Sequence, residues 1–235
     1  MGINRSMTSH IVHCSEPIAL FGGGDADRDT IARALNFART VVAADGGANL
    51  AVAENIQPNA VIGDFDSISD ATLAKLPADV LFKIEEQDST DFDKALRSIL
   101  APVILAVGFT GARLDHQLAA FNTLVRHPEK RCLILGPQEL VFLAPPSLHL
   151  DLPMGATVSL FPLGAVTGVS EGLQWPINGL SFAPDARVGT SNAVSGPVAL
   201  GFDRPNMLVI LPIEALDVVM SALAASDAHW PARVE

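Results

Sequence analysis

Six of the aspartates from Asp45 to Asp93 fall in three short motifs, most of them at the ends of apolar runs. Asp45 sits in "AADGGAN", Asp64 and Asp66 in "GDFDS" straight after the apolar "AVI", and Asp88, Asp91 and Asp93 in "DSTDFDKAL". Two carboxylates ~4 Å apart repel by about 1 kcal/mol in water and by about 4 kcal/mol at an effective dielectric of 20. Gathered in one place, such groups must spread into solvent or share a cation. The ligands to hand are oxygens, from Asp64, Asp66, Asp88, Asp91 and backbone carbonyls, and no Cys or His pair has zinc spacing. The hard cation Mg²⁺ is therefore the expected partner. Such an ion keeps part of its water and bridges carboxylates to phosphates, so the chemistry suggested is that of a phosphorylated substrate. An isolated D-x-D is ordinary turn chemistry; "GDFDS" with "DSTDFD" downstream is more specific.

Other polar residues gather around these aspartates. Thr90 reads as a helix N-cap, with Asp93 three residues on in an Asp variant of a capping box. Asp93 is then structural, and Asp88 and Asp91 lie near the positive end of the helix. "FGGGDAD" (21–27) is a glycine loop whose amides can face a phosphate, or simply a tight turn with Asp25 or Asp27 as cap. There is no G-x-x-x-x-G-K-[ST] loop. In "GFTGARLDHQLAAFNTL" (108–124), Arg113, Asp115, His116 and Gln117 crowd one helical turn, more than capping requires. Arg113 can hold a phosphate and Asp115 can orient a neighbour or a water. His116 reads as a hydrogen-bonding residue, and Gln117 as a ligand contact or a solvated side chain. Further on, Trp175 between Gly172 and Pro176 reads as core or as an aromatic platform, and "TSN" (190–192) reads as a turn.

These residues need elements to position them. Up to about residue 135, the short apolar runs "PIALF", "TVVAA", "NAVI", "DVLFKI", "PVILAV" and "RCLILG" alternate with helical stretches at 27–38, 69–76, 91–100 and 114–125. That pattern predicts βα units and a parallel sheet covered on both faces, a three-layer α/β arrangement. Ligands of such sheets gather at the carboxyl ends of the strands, where "FGGGD", "ADGG", "GDFDS", "EEQDSTD" and "GFTGARLDH" all fall. Near "LAPPS" the pattern changes to short alternating segments broken by Gly and Pro. We expect an α/β domain over 1–143 and an all-β sandwich or partial barrel over 144–235, with "EALDVVMSALAA" only weakly marked as a terminal helix.

With 235 residues, 49% hydrophobic, the chain can bury a sizeable core. Its net charge of −11 argues against a nucleic-acid partner, which needs clustered Lys and Arg. No apolar run approaches the ~18 residues needed to span a bilayer, and no signal peptide is expected. Two cysteines, Cys14 and Cys132, make no disulfide framework, so a reduced cytoplasmic setting is expected, with both thiols in the core. "MGINRS" fits a myristoylation pattern at Gly2 and Ser6, but reads better as a tail before a second start at Met7.

Taken in order, "ADGGAN", "GDFDS", "DSTDFDKAL", "GARLDHQLAAFNTL", "GLQWPI" and "GTSNAVSG" resemble the thiamine pyrophosphokinase family, over most of the chain from about Ile18 onward. The resemblance implies an α/β ATP-binding domain followed by a β-sandwich, associated as a homodimer. It also implies pyrophosphoryl transfer: the hydroxyethyl oxygen of thiamine attacks the β-phosphorus of ATP and AMP leaves, with Mg²⁺ on the triphosphate. By the family pattern, Asp64, Asp66 and Asp91 hold the metal and, with Asp115, act in catalysis. Asp45, Gly46, Asp88, Thr90, Arg113, His116 and Gln117 line the nucleotide and reaction centre. Trp175, Ser191 and Asn192 fall to thiamine at the dimer interface, where an indole against a cationic thiazolium is good cation–π chemistry. No single general base follows; Asp66, Asp91 and Asp115 are candidates. The chain departs from the pattern at Ala193, where many relatives carry a larger polar residue, and the loop "FGGGDADRD" is a loose match. Three other readings compete: a pyrophosphokinase acting on a pterin alcohol, a Mg²⁺-dependent phosphatase with Asp64 as nucleophile, and a binding-only sensor. The phosphatase would want Thr or Val two residues after the second Asp, where Ser67 and Ile68 follow instead, and a downstream lysine in the site, for which no motif stands out.

Overall fold

The computed structural model describes residues 10–111 and 113–233; the Gly2–Ser6 pattern and Met7 lie outside them. In chain order the first half comprises β1 (Val12–His13), β2 (Ile18–Phe21), α1 (Arg28–Phe37), β3 (Thr40–Ala44), α2 (Gly47–Ala53), β4 (Ala60–Gly63) and α3 (Asp70–Leu73). It continues through β5 (Leu81–Lys83), α4 (Asp91–Ser98), β6 (Ile99–Leu100), β7 (Ile104–Val107), α5 (Leu114–Arg126) and β8 (Cys132–Leu135). Strands β8-β7-β2-β3-β4-β5 lie side by side and all parallel, while β1 and β6 form a separate parallel pair.

The apolar runs explain the layers. Successive side chains of a strand point to opposite faces, so a continuous apolar run feeds two cores. Ala19, Phe21, Val41 and Leu105 join Ile31 and Ala34 of α1 in one cluster. Ile18, Leu20, Val42 and Ile104 join Phe92, Ala95 and Leu96 of α4 and Leu124 of α5 in another. Helix α1 is capped by Asp27, whose carboxylate accepts the Thr30 amide at 2.7 Å, a contact of the kind that contributes about 1 kcal/mol. Strands β3 to β5 extend to one side of β2, while β7 and β8 lie on the other. The chain therefore reverses its direction of travel between β2 and β7, and the loops after those strands separate into a crevice.

The sheet does not stop at residue 143, and it is mixed rather than purely parallel. Strand β9 (Glu139–Leu143) pairs antiparallel with β8, because only a tight turn closed by the Gly136 amide on the Glu139 carbonyl joins them. So short a connection permits no parallel crossover. The second half adds β10 (Ser147–Leu150), β11 (Thr157–Pro162), β12 (Val166–Leu173), β13 (Ser181–Phe182), β14 (Thr190–Phe202), β15 (Met207–Pro212) and α6 (Leu216–Ala224). Through β9 and β15 these strands extend the same sheet to thirteen among the described residues. The long β14 pairs with β11 over 190–193, then with β10 and β12 further along, in the manner of a strand that turns a sandwich corner. Two expectations are corrected here. The "TSN" segment opens strand β14 rather than forming a turn. The second half is not all-β either, since α6 buries Leu216, Val219, Met220 and Leu223 in the shared core.

Candidate active site

A cavity of about 600 Å³ opens at the carboxyl edge of the parallel strands, where the crevice forms. Its walls include Gly23 and Gly24 after β2, Asp45 and Gly46 after β3, Asp64 after β4, Thr90 and Asp91 at the start of α4, and Gly108 to Gly111 after β7. Carboxylate oxygens of Asp45, Asp64 and Asp91 all lie within 4.8 Å of one another.

Each acid is placed by its own local structure. Asp45 is 2% exposed and takes a positive φ of 43° at the end of β3, a strained conformation that aims its carboxylate across the edge. Helix α2 then starts so close to β2 that a Cβ at Gly47 would collide with the Phe21 carbonyl. Asp45 Oδ2 accepts the Ser67 amide at 3.0 Å, and Asn49 donates to the Ser67 carbonyl at 2.8 Å while accepting the Ser69 amide at 3.1 Å. The "ADGGAN" motif thus moulds the "GDFDS" loop. Thr90 caps α4 by accepting the Asp93 amide at 3.2 Å, which sets Asp91 in the first turn facing the cavity.

One residue among these acids was missed by the sequence reading. Lys94, 1% exposed, donates to Asp64 Oδ2 and Asp91 Oδ1, each at 3.0 Å. Burial disfavours its charge, but the hydrogen bonds to Asp91 and Asp64 prevail and raise its pKa. Burial likewise pushes Asp64 up, yet the bonds from Lys94 and the Asp66 amide hold it below the usual carboxylate value. Asp45 shifts the other way: burial, then the charge of Asp91, raise it. Its Oδ1 is buried without a hydrogen-bond partner. The signal for Lys94 was present, since it stands among Phe92, Ala95 and Leu96 on the buried face of an amphipathic helix. A lysine is almost never fully buried without a partner.

Several expected residues line the cavity and others do not. Asp45, Gly46, Asp64, Thr90, Asp91, Arg113 and His116 do. Asp66 is exposed and accepts the Ser67 hydroxyl at 2.8 Å, outside the three-acid group. Asp88 is exposed and off the lining. Asp115 pairs with Arg113 at 2.6 Å on the surface, and Gln117 accepts the Gly111 amide at 3.3 Å. Asp93 is structural: its carboxylate faces His127 Nε2 at 2.9 Å and Arg126 at 3.1 Å. Asp93 and Asp91 share a helix turn but have separate duties.

In the second half, Trp175 is 57% exposed, so it is not core. Asn192, 3% exposed, spends its side chain on backbone: Oδ1 accepts the amides of Trp175 at 3.1 Å and Ala193 at 3.0 Å, and Nδ2 donates to the Trp175 carbonyl at 2.6 Å. Gly172, at φ +70°, lets this loop press on Pro197, where a Cβ would collide with the carbonyl. Ser191 is exposed on β14 opposite Ser159.

An acidic, glycine-rimmed cavity at the switch point of the parallel strands marks a ligand site of an α/β protein, with groups suited to a phosphate. The sequence family described as "Thiamin pyrophosphokinase, catalytic domain" matches residues 31–135, and "Thiamin pyrophosphokinase, vitamin B1 binding domain" matches 146–206. The chain belongs to the thiamine pyrophosphokinase family. Thiamine pyrophosphokinase 1 of Arabidopsis thaliana is 29% identical over 191 residues, covering 67% of this chain and 72% of the relative. Thiamine pyrophosphokinase 3 of Oryza sativa subsp. japonica is 27% identical over 196 residues, covering 69% and 73%. Among solved structures, thiamin pyrophosphokinase from Candida albicans superposes with a TM-score of 0.69 at 16% identity, covering 86% of this chain and 92% of that one. That likeness supports the fold.

Proposed function

We propose that this protein is a thiamine diphosphokinase that transfers the pyrophosphoryl group of ATP to the hydroxyethyl oxygen of thiamine, giving thiamine diphosphate and AMP. The observation that carries this reading is the match of both halves in order, catalytic over 31–135 and vitamin B1-binding over 146–206. We assign residues 1–143 to nucleotide and metal, and 144–235 to thiamine and dimerisation.

The donor set suits Mg²⁺, because three carboxylates converge and one buried oxygen, Asp45 Oδ1, lacks a partner. Asp64 and Asp91 would hold it with Asp45, and Asp66, expected in that role from the family, is exposed and lies outside the group. When bound, the ion neutralises charge on the triphosphate. The chain's own residues do the rest. Gly23, Gly24 and Gly108 line the cavity, Arg113 offers a guanidinium to a phosphate, and Asn49 fixes the loop that carries Asp64. Positioning and charge stabilisation dominate such reactions. Asp115, engaged with Arg113, orients that guanidinium rather than taking a proton.

For thiamine, we assign the contact to the Trp175 indole and the Ser191 hydroxyl. Asn192 acts one step back, holding the Trp175 backbone. The exposed Leu114 and Leu118 on α5, beside the cavity mouth, together with exposed Trp175, fit a homodimer in which a second copy covers them. Among the described residues no helix is long and apolar enough to cross a membrane, and both cysteines are free, which suits a cytoplasmic setting. Lys94 supplies the lysine that the phosphatase reading lacked, but the family match disfavours that reading and the pterin alternative. The test is product analysis with ATP and Mg²⁺, with and without thiamine. AMP and thiamine diphosphate should appear together and only with thiamine; ADP and phosphate in their place would overturn the assignment.

A further inference from the structure

The acidic group contains its own cation. Lys94 Nζ stands 3.0 Å from Asp64 Oδ2 and 3.0 Å from Asp91 Oδ1, almost wholly buried in the wall of the cavity. Three carboxylates against one ammonium leave two net negative charges, the complement of one divalent ion. Asp45 is the acid Lys94 does not reach: its Oδ2 takes the Ser67 amide and its buried Oδ1 takes nothing.

We propose that Lys94 is a resident counter-ion that makes metal and polyphosphate bind as a unit. Without metal it keeps Asp64 and Asp91 side by side, where their mutual repulsion would separate them. Toward a free divalent ion it is an obstacle, since it repels the ion and occupies lone pairs on two of its ligands. Toward an ion carrying a polyphosphate it is an ally, because phosphate oxygens give the ammonium further anionic partners. The chain therefore binds the bare ion weakly and the ion–nucleotide complex well, a coupling that is reciprocal between the two ligands. The inference rests on the pyrophosphokinase reading for the identity of the polyphosphate, and Lys94 is a positioning residue.

The test is Mn²⁺ binding to the full chain, followed by electron paramagnetic resonance of the free ion, alone and with α,β-methylene-ATP, whose carbon bridge blocks the scissile bond. In the unaltered protein the analogue should tighten Mn²⁺ binding by at least about tenfold. Lys94→Met should bind Mn²⁺ alone at least about tenfold more tightly than the unaltered protein, with the nucleotide enhancement reduced by a similar factor. Its melting temperature in a chelator should fall and recover on adding Mn²⁺. Lys94→Arg, which keeps the charge, should keep the unaltered Mn²⁺ affinity. Unchanged or weaker Mn²⁺ binding by folded Lys94→Met overturns the proposal, as does an Arg variant that behaves like Met. If Lys94→Met does not fold, the unaltered protein still decides: Mn²⁺ affinity indifferent to the analogue overturns it. Absence of thiamine-dependent AMP would sink the reaction assigned above and leave the Mn²⁺ titration standing.

Discussion

The two halves of the sheet present their chemistry in opposite ways. At the carboxyl edge of the parallel strands the charged groups are enclosed and answered by other groups of the same chain: Asp64 and Asp91 by Lys94, Asp45 by the Ser67 amide. In the antiparallel half the backbone is held and the side chain is not. Asn192 fixes the Trp175 amide and carbonyl, while the indole stands in solvent. A preorganised, enclosed set of charges is what stabilises charge that develops during reaction. An exposed aromatic on a rigid backbone suits the recognition role proposed for it. Variants in the first region should therefore act on turnover, and variants in the second on affinity.

The largest effect is expected at Asp91. Asp91→Asn removes one of the three converging carboxylates and the charge that pairs with Lys94. The turnover number should fall by at least ~10²-fold, the scale set by loss of one charge-stabilising group, with the far-ultraviolet dichroism unchanged. Near-normal thiamine-dependent AMP release by a folded variant would break the contrast at its stronger end.

Next comes a test that the enclosed region is held by charge beneath the site as well. His127 sits between Asp93 and Glu129, with Arg126 also on Asp93. Burial opposes its charge, but the hydrogen bonds to Asp93 and Glu129 win and raise its pKa from 6.5 to about 9. A raised pKa contributes stability that is complete below pH 6.5 and is lost as pH climbs through about 9. Asp93, lowered below 3.8 despite burial by the same contacts, contributes above that pH and loses its share in acid. Stability should fall on the order of 2 kcal/mol between pH 6.5 and 9.5, and His127→Asn should flatten that limb. Denaturant midpoints across the range decide it; an equal slope in the variant would remove His127 from the account.

Much of this arrangement was legible in the sequence, and the failures have physical reasons. Unbroken apolar runs, buried on both faces, made the parallel strands readable, and Thr90 capped α4 as its spacing demanded. The continuation of the sheet through β9 was not readable, because strand pairing is non-local and the sequence shows only strands and turns. Lys94 is masked by the acidic residues that precede it, and only the apolar face it shares with Phe92, Ala95 and Leu96 betrays its burial. Asp64 and Asp66 look alike as letters; the loop shape set by Asp45 and Asn49 brings Asp64 to the group and turns Asp66 to solvent. The backbone role of Asn192 was not legible either, because its partner Trp175 lies 17 residues away in sequence.

At the recognition end, Trp175→Ala should raise the thiamine KM by about tenfold, in line with loss of a cation–π contact, and leave the ATP KM alone. Because the indole is exposed, stability should stay within about 0.5 kcal/mol of the unaltered protein. A drop in stability with an unchanged thiamine KM would make Trp175 a packing residue of a dimer rather than a thiamine contact, and the comparison would need redrawing.

The smallest effect sharpens the comparison most, because it tests whether enclosure itself matters. Asn49 touches neither acid nor base; it joins the Ser67 carbonyl and the Ser69 amide to α2. Asn49→Ala should cost about 1 kcal/mol of stability, the usual net value of such bonds. If the carboxyl-edge site works by preorganisation, the variant should also need about two- to fivefold more Mg²⁺ for half-maximal activity, as the loop carrying Asp64 loosens. The thiamine KM should not move. A shift in thiamine KM with an unchanged Mg²⁺ requirement would mean that the two regions are coupled through the sheet, and that their division into turnover and affinity is false.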